Sequence, residues 1–269
     1  MISIITTFFN SEKYLLDNIK SVQSIRHQDK IEHILVDDGS NDLSLQIAKL
    51  NINDRATLLT PGRIGRAKAL NLAINHSSYD LICVLDSDDL INPDWIDLFI
   101  DNIDTKIRDE LQNKVFFSNV KLIDEDIHDI VSSETAVLSS GKPFKNFWIF
   151  LYNPIPHSGA IFSKTIANSS KIYSENLKSQ FDWDLWFRAI KSGNNIIYFN
   201  ITGAYKRIHK QQFFERSSFI SYFFRGIILQ LRWSYRLNKF MLFPVILFCI
   251  LRLLWRLFPF RLKLRNFCH

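Results

Sequence analysis

The feature that most constrains this chain is a repeated unit: a short apolar run ending near acids or glycine, then a stretch with helical spacing. "ISIITTF" (2–8), "IEHILVDDGS" (31–40), "ATLLT" (56–60) and "LICVLD" (81–86) are short and rich in β-branched residues, so they read as strands. "SEKYLLDNIKSVQSI", "DLSLQIAKL" and "GRAKALNLAINHS" lie between them and read as helices; in the first, Tyr14, Leu15, Ile19 and Val22 share one side. This alternation predicts an α/β fold with a mostly parallel central sheet flanked by helices. Ligands of such sheets gather outside the carboxyl ends of the strands. Asp37 and Asp38 fall at that edge after one strand, and Asp86 and Asp88 after another. Asp86, Asp88 and Asp89 crowd behind the apolar run Leu81 to Leu85, and their charges repel unless a positive object sits between them. The simpler alternative is a solvated turn, with Asp89 or Asn92 capping the helix that Pro93 opens.

From about residue 113 the pattern changes. "KVFFSNVKLID" and "NIIYFN" read as strands, and "KPFKNFWIFLYNPIPHSGAIFSK" is aromatic-rich, with two prolines around His157. "QFDWDLWFRAIKSG" is an amphipathic helix with Trp183, Trp186, Phe187 and Ile190 on one face, ended by Gly193. "TGAYKRIHKQQFFERSS" reads as a polar, basic loop.

Charge divides the chain near residue 205. Residues 1–200 carry 20 Lys/Arg and 26 Asp/Glu, whereas residues 201–269 carry 13 Lys/Arg and a single acid, Glu215. The basic residues of the last segment are interleaved with Phe, Leu, Ile and Trp. Nucleic-acid binding accounts for the charge but not for the long apolar side chains; an anionic membrane surface accounts for both. The uncharged stretch Phe240 to Leu251 has 12 residues, against the roughly 20 of a transmembrane helix. With Pro244 interrupting it and Arg252 and Arg256 following, an interfacial or re-entrant helix is expected; a helix packed on the protein's own core is the alternative. The three cysteines, Cys83, Cys249 and Cys268, fit no disulfide or zinc pattern and suggest a reducing compartment. "MISIITTFFN" reads as a first strand and not as a signal peptide.

Six segments, in order, resemble the family 2 glycosyltransferases: "SIITTFFNSEKYLLDNIKSV", "ILVDDGSNDLS", "GRIGRAKALNLAI", "VLDSDDLINPDW", "NPIPHSGAIFSK" and "FDWDLWFRA". The resemblance covers roughly residues 1–215 and implies the A-type nucleotide-diphospho-sugar transferase fold (GT-A, Rossmann-like). It implies transfer of a hexose or N-acetylhexosamine from a UDP-sugar to a hydroxyl, with inversion at the anomeric carbon. A divalent ion, Mn²⁺ or Mg²⁺, would offset the charge of the departing diphosphate. By the resemblance Asp88 is its direct ligand, Asp86 touches the metal or the ribose, and His209 reaches the metal or diphosphate when a C-terminal loop closes. Asp89 is left as the helix cap.

Asp182 takes the place of the general base. Phe181 stands where the family often has Glu, so any helper role of that acid is missing. Charge complementing a helix N-terminus is the alternative for Asp182 and Asp184. The resemblance gives the nucleotide Thr7, Phe9, Glu12, Asp37, Asp38, Arg66, Lys68 and Asp86, with Phe9 stacking on uracil and Asp38 accepting from the base. Phe9 is otherwise core, and Arg66 and Lys68 otherwise a solvated helix face. His157, Trp183 and Asp184 fall on the acceptor side.

The expected organisation is a GT-A domain over 1–215, with a nucleotide-sugar half (1–112) and an acceptor half (113–215), followed by membrane-associating helices over 216–269. The acceptor is then a lipid-linked saccharide of surface polysaccharide or lipopolysaccharide biosynthesis, met at the cytoplasmic face of the plasma membrane. Two other classes compete: a phosphatase-like enzyme using the Asp86-x-Asp88 turn, and an inactive membrane-surface module with the same fold. Phosphatase acids normally follow the first strand, whereas here they follow the fourth.

Overall fold

The computed structural model describes residues 1–106, 111, 113–126, 141–167, 169, 171–209 and 219–257. Strands β1 (Ile2–Phe8), β2 (Ile31–Asp37), β3 (Ala56–Leu59) and β4 (Leu81–Val84) are mutually parallel in the order β3-β2-β1-β4. Ile2 sits opposite Ile31 on one side and Leu81 on the other. The connections are helices α1 (Leu15–Gln23), α2 (Ser44–Asn51) and α3 (Arg66–His76). Every residue of β1 and β4 is buried because helices cover both faces. Along β1 the side chains divide between two cores: Ile2 and Ile4 join Trp95 and Phe99, while Ile5 joins Leu70 and Trp186. Each such isoleucine contributes about 1.5–3 kcal/mol by leaving water.

The second half makes the sheet mixed. It contains β5 (Leu90–Ile91), α4 (Pro93–Lys106), β6 (Lys114–Ile123), β7 (Lys142–Pro143), β8 (Ile161–Ser163), α5 (Phe181–Lys191) and β9 (Asn195–Arg207). β8 runs antiparallel between β4 and β6; β9 lies parallel to β6 and receives β5 and β7 as antiparallel neighbours.

The expectation of a loop from Thr202 is corrected, since β9 continues to Arg207. Gly203 lets the strand pass where it does: a Cβ there would lie 1.9 Å from Ser118 Oγ. The polar composition concealed the strand because its buried cation, Arg207, pairs internally with Asp17 at 3.2 Å.

Helices α6 (Phe219–Leu237) and α7 (Leu242–Leu257) close the described chain, joined through a 3-10 turn at Lys239–Met241. Leu229 and Trp233 of α6, and Val245 and Cys249 of α7, enter the same core as α5. Trp233 stacks on Phe187 with centroids 5.7 Å apart. Pro244 does not interrupt α7; it lies in the first turn, where its missing N–H costs no helical hydrogen bond. No described helix is long and apolar enough to cross a membrane. The expected boundary near 215, Cys268 and the basic stretch after Leu257 lie outside the described residues. Cys83 and Cys249 are buried free thiols, and burial pushes Cys83 up to about 12.

Candidate functional site

The parallel strands deliver their acids to one edge. After β4 the backbone turns sharply, with Asp89 N–H donating to Asp86 C=O at 3.0 Å. Ligand atoms of Asp86, Asp88 and Asp89 lie within 4.8 Å of one another. Asn18 of α1 holds the turn from beneath, donating from Nδ2 to Asp86 O at 2.9 Å and Asp89 O at 2.8 Å. Ser158 accepts from Asp86 N–H at 3.1 Å and donates to Asp89 Oδ2 at 2.6 Å. Arg207 donates from its main chain to Asp89 Oδ1 at 3.2 Å and from Nε to Asp88 O at 3.3 Å.

Sequence reasoning missed Asn18, Ser158 and Arg207. The one signal was a charged residue two places before His209, on the same side of an extended chain. Asp89 is not the helix cap expected of it, since both its oxygens are used in the turn; Asn92 Oδ1 instead accepts from Asp94 N–H at 3.2 Å.

The three carboxylates have different environments. Burial raises the Asp89 carboxyl, and the charges of Asp88 and Asp86 raise it further. Burial also acts to raise Asp86, but Arg66 and His157 beside it prevail and hold it below the usual carboxylate range. Arg66 pairs directly with Asp86, and His157 Nδ1 donates to the same Oδ1 at 3.1 Å. The other ring nitrogen of His157 meets Tyr173 Oη at 2.9 Å. Asp88 accepts from His209 Nε2 at 2.9 Å, and the ring of His209 packs on Tyr14 at 4.5 Å. His209 is buried, and its Nδ1 has no hydrogen-bond partner among the described residues. A hard divalent ion prefers carboxylate oxygens and tolerates an imidazole nitrogen, so this donor set fits Mg²⁺ or Mn²⁺.

Asp182 lies in the first turn of α5, within electrostatic reach of Arg66. After the cost of desolvation, the charges acting on that guanidinium are Asp86, Asp88 and Asp182, in that order. The Arg66 guanidinium also lies 5.3 Å from the Phe181 ring. One cation therefore joins the acidic turn to the start of α5. Asn153, another residue unmarked in the sequence, donates from Nδ2 to Asp182 Oδ2 at 2.8 Å, while its own Oδ1 has no hydrogen-bond partner among the described residues.

The remaining candidates separate. Asp38 is buried and accepts from Arg63, from Ile64 N–H at 2.8 Å and from Gly65 N–H at 2.7 Å. The Arg63 guanidinium lies over the exposed Phe9 ring, 3.7 Å from its centroid. Phe9 is thus not core. Asp37 holds its turn through Ser40 N–H at 2.9 Å, Glu12 accepts from Leu43 N–H at 3.0 Å, and Thr7 is buried in β1. Lys68 is exposed, and its charge acts on Glu175.

Trp183 and Asp184, expected on the acceptor side, are both buried and bonded within the protein. Trp183 is in the core with Nε1 bonded to Ile149 O at 2.8 Å. Asp184 is buried and accepts from Ser174, Arg188 and Trp233 Nε1 at 2.7, 2.9 and 2.9 Å. The helix periodicity already placed Trp183 on the apolar face; Asp184 follows α6, whose packing the sequence did not reveal.

Residues 3–132 match the model of Glycosyl transferase family 2. An uncharacterised glycosyltransferase of Rickettsia typhi is 26% identical over 216 residues, covering 79% of this chain and 65% of its own length. The amylovoran biosynthesis glycosyltransferase AmsE of Erwinia amylovora is 24% identical over 202 residues, 73% of this chain and 72% of AmsE. The crystal structure of Staphylococcus aureus TarS 1–349 in complex with UDP-GlcNAc superposes with a TM-score of 0.63 at 21% identity, covering 86% of this chain and 66% of that one. The chain thus spans just under two thirds of the Rickettsia relative and of TarS 1–349. The TarS likeness is one of fold: an α/β sheet of the GT-A kind flanked by helices. Residues 3–132, just under half of the chain, form a Glycosyl transferase family 2 domain.

Proposed function

We propose that this chain is an inverting, divalent-cation-dependent glycosyltransferase that moves a hexose or N-acetylhexosamine from a UDP-sugar to a hydroxyl of a lipid-linked saccharide. The observation that carries the reading is Arg66, which pairs with Asp86 and lies 5.3 Å from the ring of Phe181, the residue before Asp182, so that Asp86, Asp88 and Asp182 all act on one cation. Glycosyl transfer needs both a site for the diphosphate and a carboxylate across from it to receive a proton. TarS, the structural neighbour, was crystallised with UDP-GlcNAc and with UDP, which supports the choice of donor.

Asp88, Asp86 and His209 would hold Mn²⁺ or Mg²⁺, which when bound neutralises charge on the departing diphosphate. Arg66, exposed at the first turn of α3, is placed to share that task as a bidentate donor to phosphate oxygens. Phe9 offers a flat face to the nucleotide base. Asn153 occupies Oδ2 of Asp182 and orients the carboxylate toward the acceptor, whose hydroxyl proton it receives. Attack from the face opposite the diphosphate inverts the anomeric centre.

The C-terminal helices supply the membrane part of the reading, at the cytoplasmic surface of the plasma membrane. Phe224, Ile228, Phe240, Phe243, Ile250 and Leu251 are exposed, beside the exposed basic residues Arg232, Arg236 and Lys239. Apolar side chains would enter the acyl boundary while the cations meet anionic headgroups. Deleting α6 would strip Trp233 from the core, so the informative variant is Phe240→Ser with Phe243→Ser. It should lose sedimentation with anionic vesicles yet keep its fold; unchanged sedimentation counts against this surface.

The activity itself is tested by incubating the chain with UDP-sugars and Mn²⁺ or Mg²⁺ and measuring UDP release. Metal-dependent release from at least one UDP-sugar is expected. No release from any of them, or release unaffected by chelation, contradicts the reading.

A further inference from the structure

Three aromatic side chains stand in solvent on one short turn: Phe147, Trp148 and Tyr152 are 42%, 44% and 44% exposed. Phe147 and Trp148 lie in the 3-10 turn Asn146–Phe150, where Ile149 and Phe150 are buried, and Tyr152 follows it. The Phe147 and Trp148 rings meet edge to face at 5.5 Å, and Trp148 lies 6.2 Å from Tyr152. Exposing three rings together is unfavourable unless a ligand covers them. Trp95, Trp183, Trp186 and Trp233 are all buried, which sets Trp148 apart from them.

The turn is fastened to the start of α5. Trp183 Nε1 donates to Ile149 O at 2.8 Å, and Asn153, the residue after Tyr152, donates to Asp182 at 2.8 Å. The rings therefore sit on the segment that positions Asp182. Asn153 Oδ1 is shielded from solvent and has no hydrogen-bond partner among the described residues.

We infer that Phe147, Trp148 and Tyr152 form a stacking platform for the saccharide acceptor, with Asn153 at its inner end. A pyranose ring presents C–H bonds on its face and hydroxyls at its edge. Aromatic faces cover the former, and a carboxylate takes the latter. The platform holds the sugar next to the one that reacts and delivers its hydroxyl toward Asp182. A lipid surface is the competing occupant, since α6 touches the same turn through Gln230 Nε2, which donates to Phe150 O at 2.9 Å and Leu151 O at 2.6 Å. The attachment to Asp182 favours the saccharide. This assignment rests on the glycosyl-transfer reading above.

The test is saturation-transfer NMR on the full chain with two probes, chitotetraose and maltotetraose, alongside calorimetric titration with UDP and sedimentation with phosphatidylglycerol vesicles. Sugar protons of at least one probe should receive saturation from the wild type. Trp148→Ala and Tyr152→Ala should each weaken that probe's binding about 3- to 10-fold, leaving UDP affinity and vesicle binding unchanged. No transfer to either probe, or equal transfer to wild type and both variants, overturns the platform. Loss of vesicle binding in the variants with no change in saccharide binding assigns the turn to lipid and also overturns it. If saccharide binding behaves as expected but the wild type binds no UDP, the platform stands and the glycosyl-transfer reading falls.

Discussion

His209 Nε2 donates to Asp88 Oδ2 at 2.9 Å across 121 residues of sequence, tying the end of β9 to the turn after β4. The same turn is bound by Arg207, so two residues of one strand end govern where the carboxylates lie. An extended chain puts residues two apart on the same side, and here one sets the backbone while the other meets a side chain.

Asp88→Asn keeps the shape and the hydrogen bond from His209 but removes the charge. Transfer should fall by on the order of 10²–10³-fold, as for loss of one strong electrostatic contact to a leaving group. Circular dichroism should show an unaltered fold. Turnover near the wild-type value would remove Asp88 from the metal role.

Asp182→Asn should leave UDP affinity as it is and lower kcat by about 10²–10⁴-fold, the range for loss of a general base. Steady-state kinetics with UDP titration separates the two effects. Weakened UDP binding with intact kcat would place Asp182 at the donor and not at the acceptor.

Asp184→Ala should destabilise the fold by about 3 kcal/mol in urea unfolding, because the Arg188 guanidinium and Trp233 indole lose a buried partner. α6 is held to α5 by that indole, so the loss should be accompanied by exposure of Trp233 to fluorescence quenchers. A change under 1 kcal/mol, roughly a surface effect, would mean the network contributes little.

His33 is buried in β2 with Nε2 3.0 Å from Thr6 Oγ1, and desolvation lowers its pKa from 6.5 to about 3. Below pH 6.5 the unfolded chain binds a proton that the folded chain refuses, so stability is lost as pH falls from about 6.5 toward 3. The loss amounts to at most about 1.4 kcal/mol per pH unit from this group. His33→Gln should flatten the decline, measured by urea unfolding at neutral and mildly acidic pH. An identical pH dependence in the two proteins would show that His33 titrates normally.

The first half of the fold was legible because each strand is short, apolar and separated by a helix of clear period; β1 and β2 begin and end almost where the residues suggest. Asp86, Asp88 and Asp182 were legible as acids at expected positions, and Arg66, His157 and His209 as side chains near them. What stayed hidden depends on contacts between distant segments. Arg207 looks like a loop cation until β9 is paired with β6, and Asp89 looks like a cap until Ser158 arrives from 69 residues away. Asp184 looked available because nothing in its own helix shows that Trp233 comes to rest against it. Arg63 is exposed and unremarkable in sequence, yet it covers Phe9 and binds Asp38, a pairing that only folding brings about.

In the proposed function the turn after β4 and the start of α5 form one centre, in which Asp88 serves the nucleotide and Asp182 the acceptor. Calorimetric titration of UDP with and without Mn²⁺, on wild type, Asp88→Asn and Asp182→Asn, tests it most directly. Binding should depend on Mn²⁺ in the wild type, be lost in Asp88→Asn and be retained in Asp182→Asn. UDP binding that ignores Mn²⁺, or that survives in Asp88→Asn, would contradict this assignment.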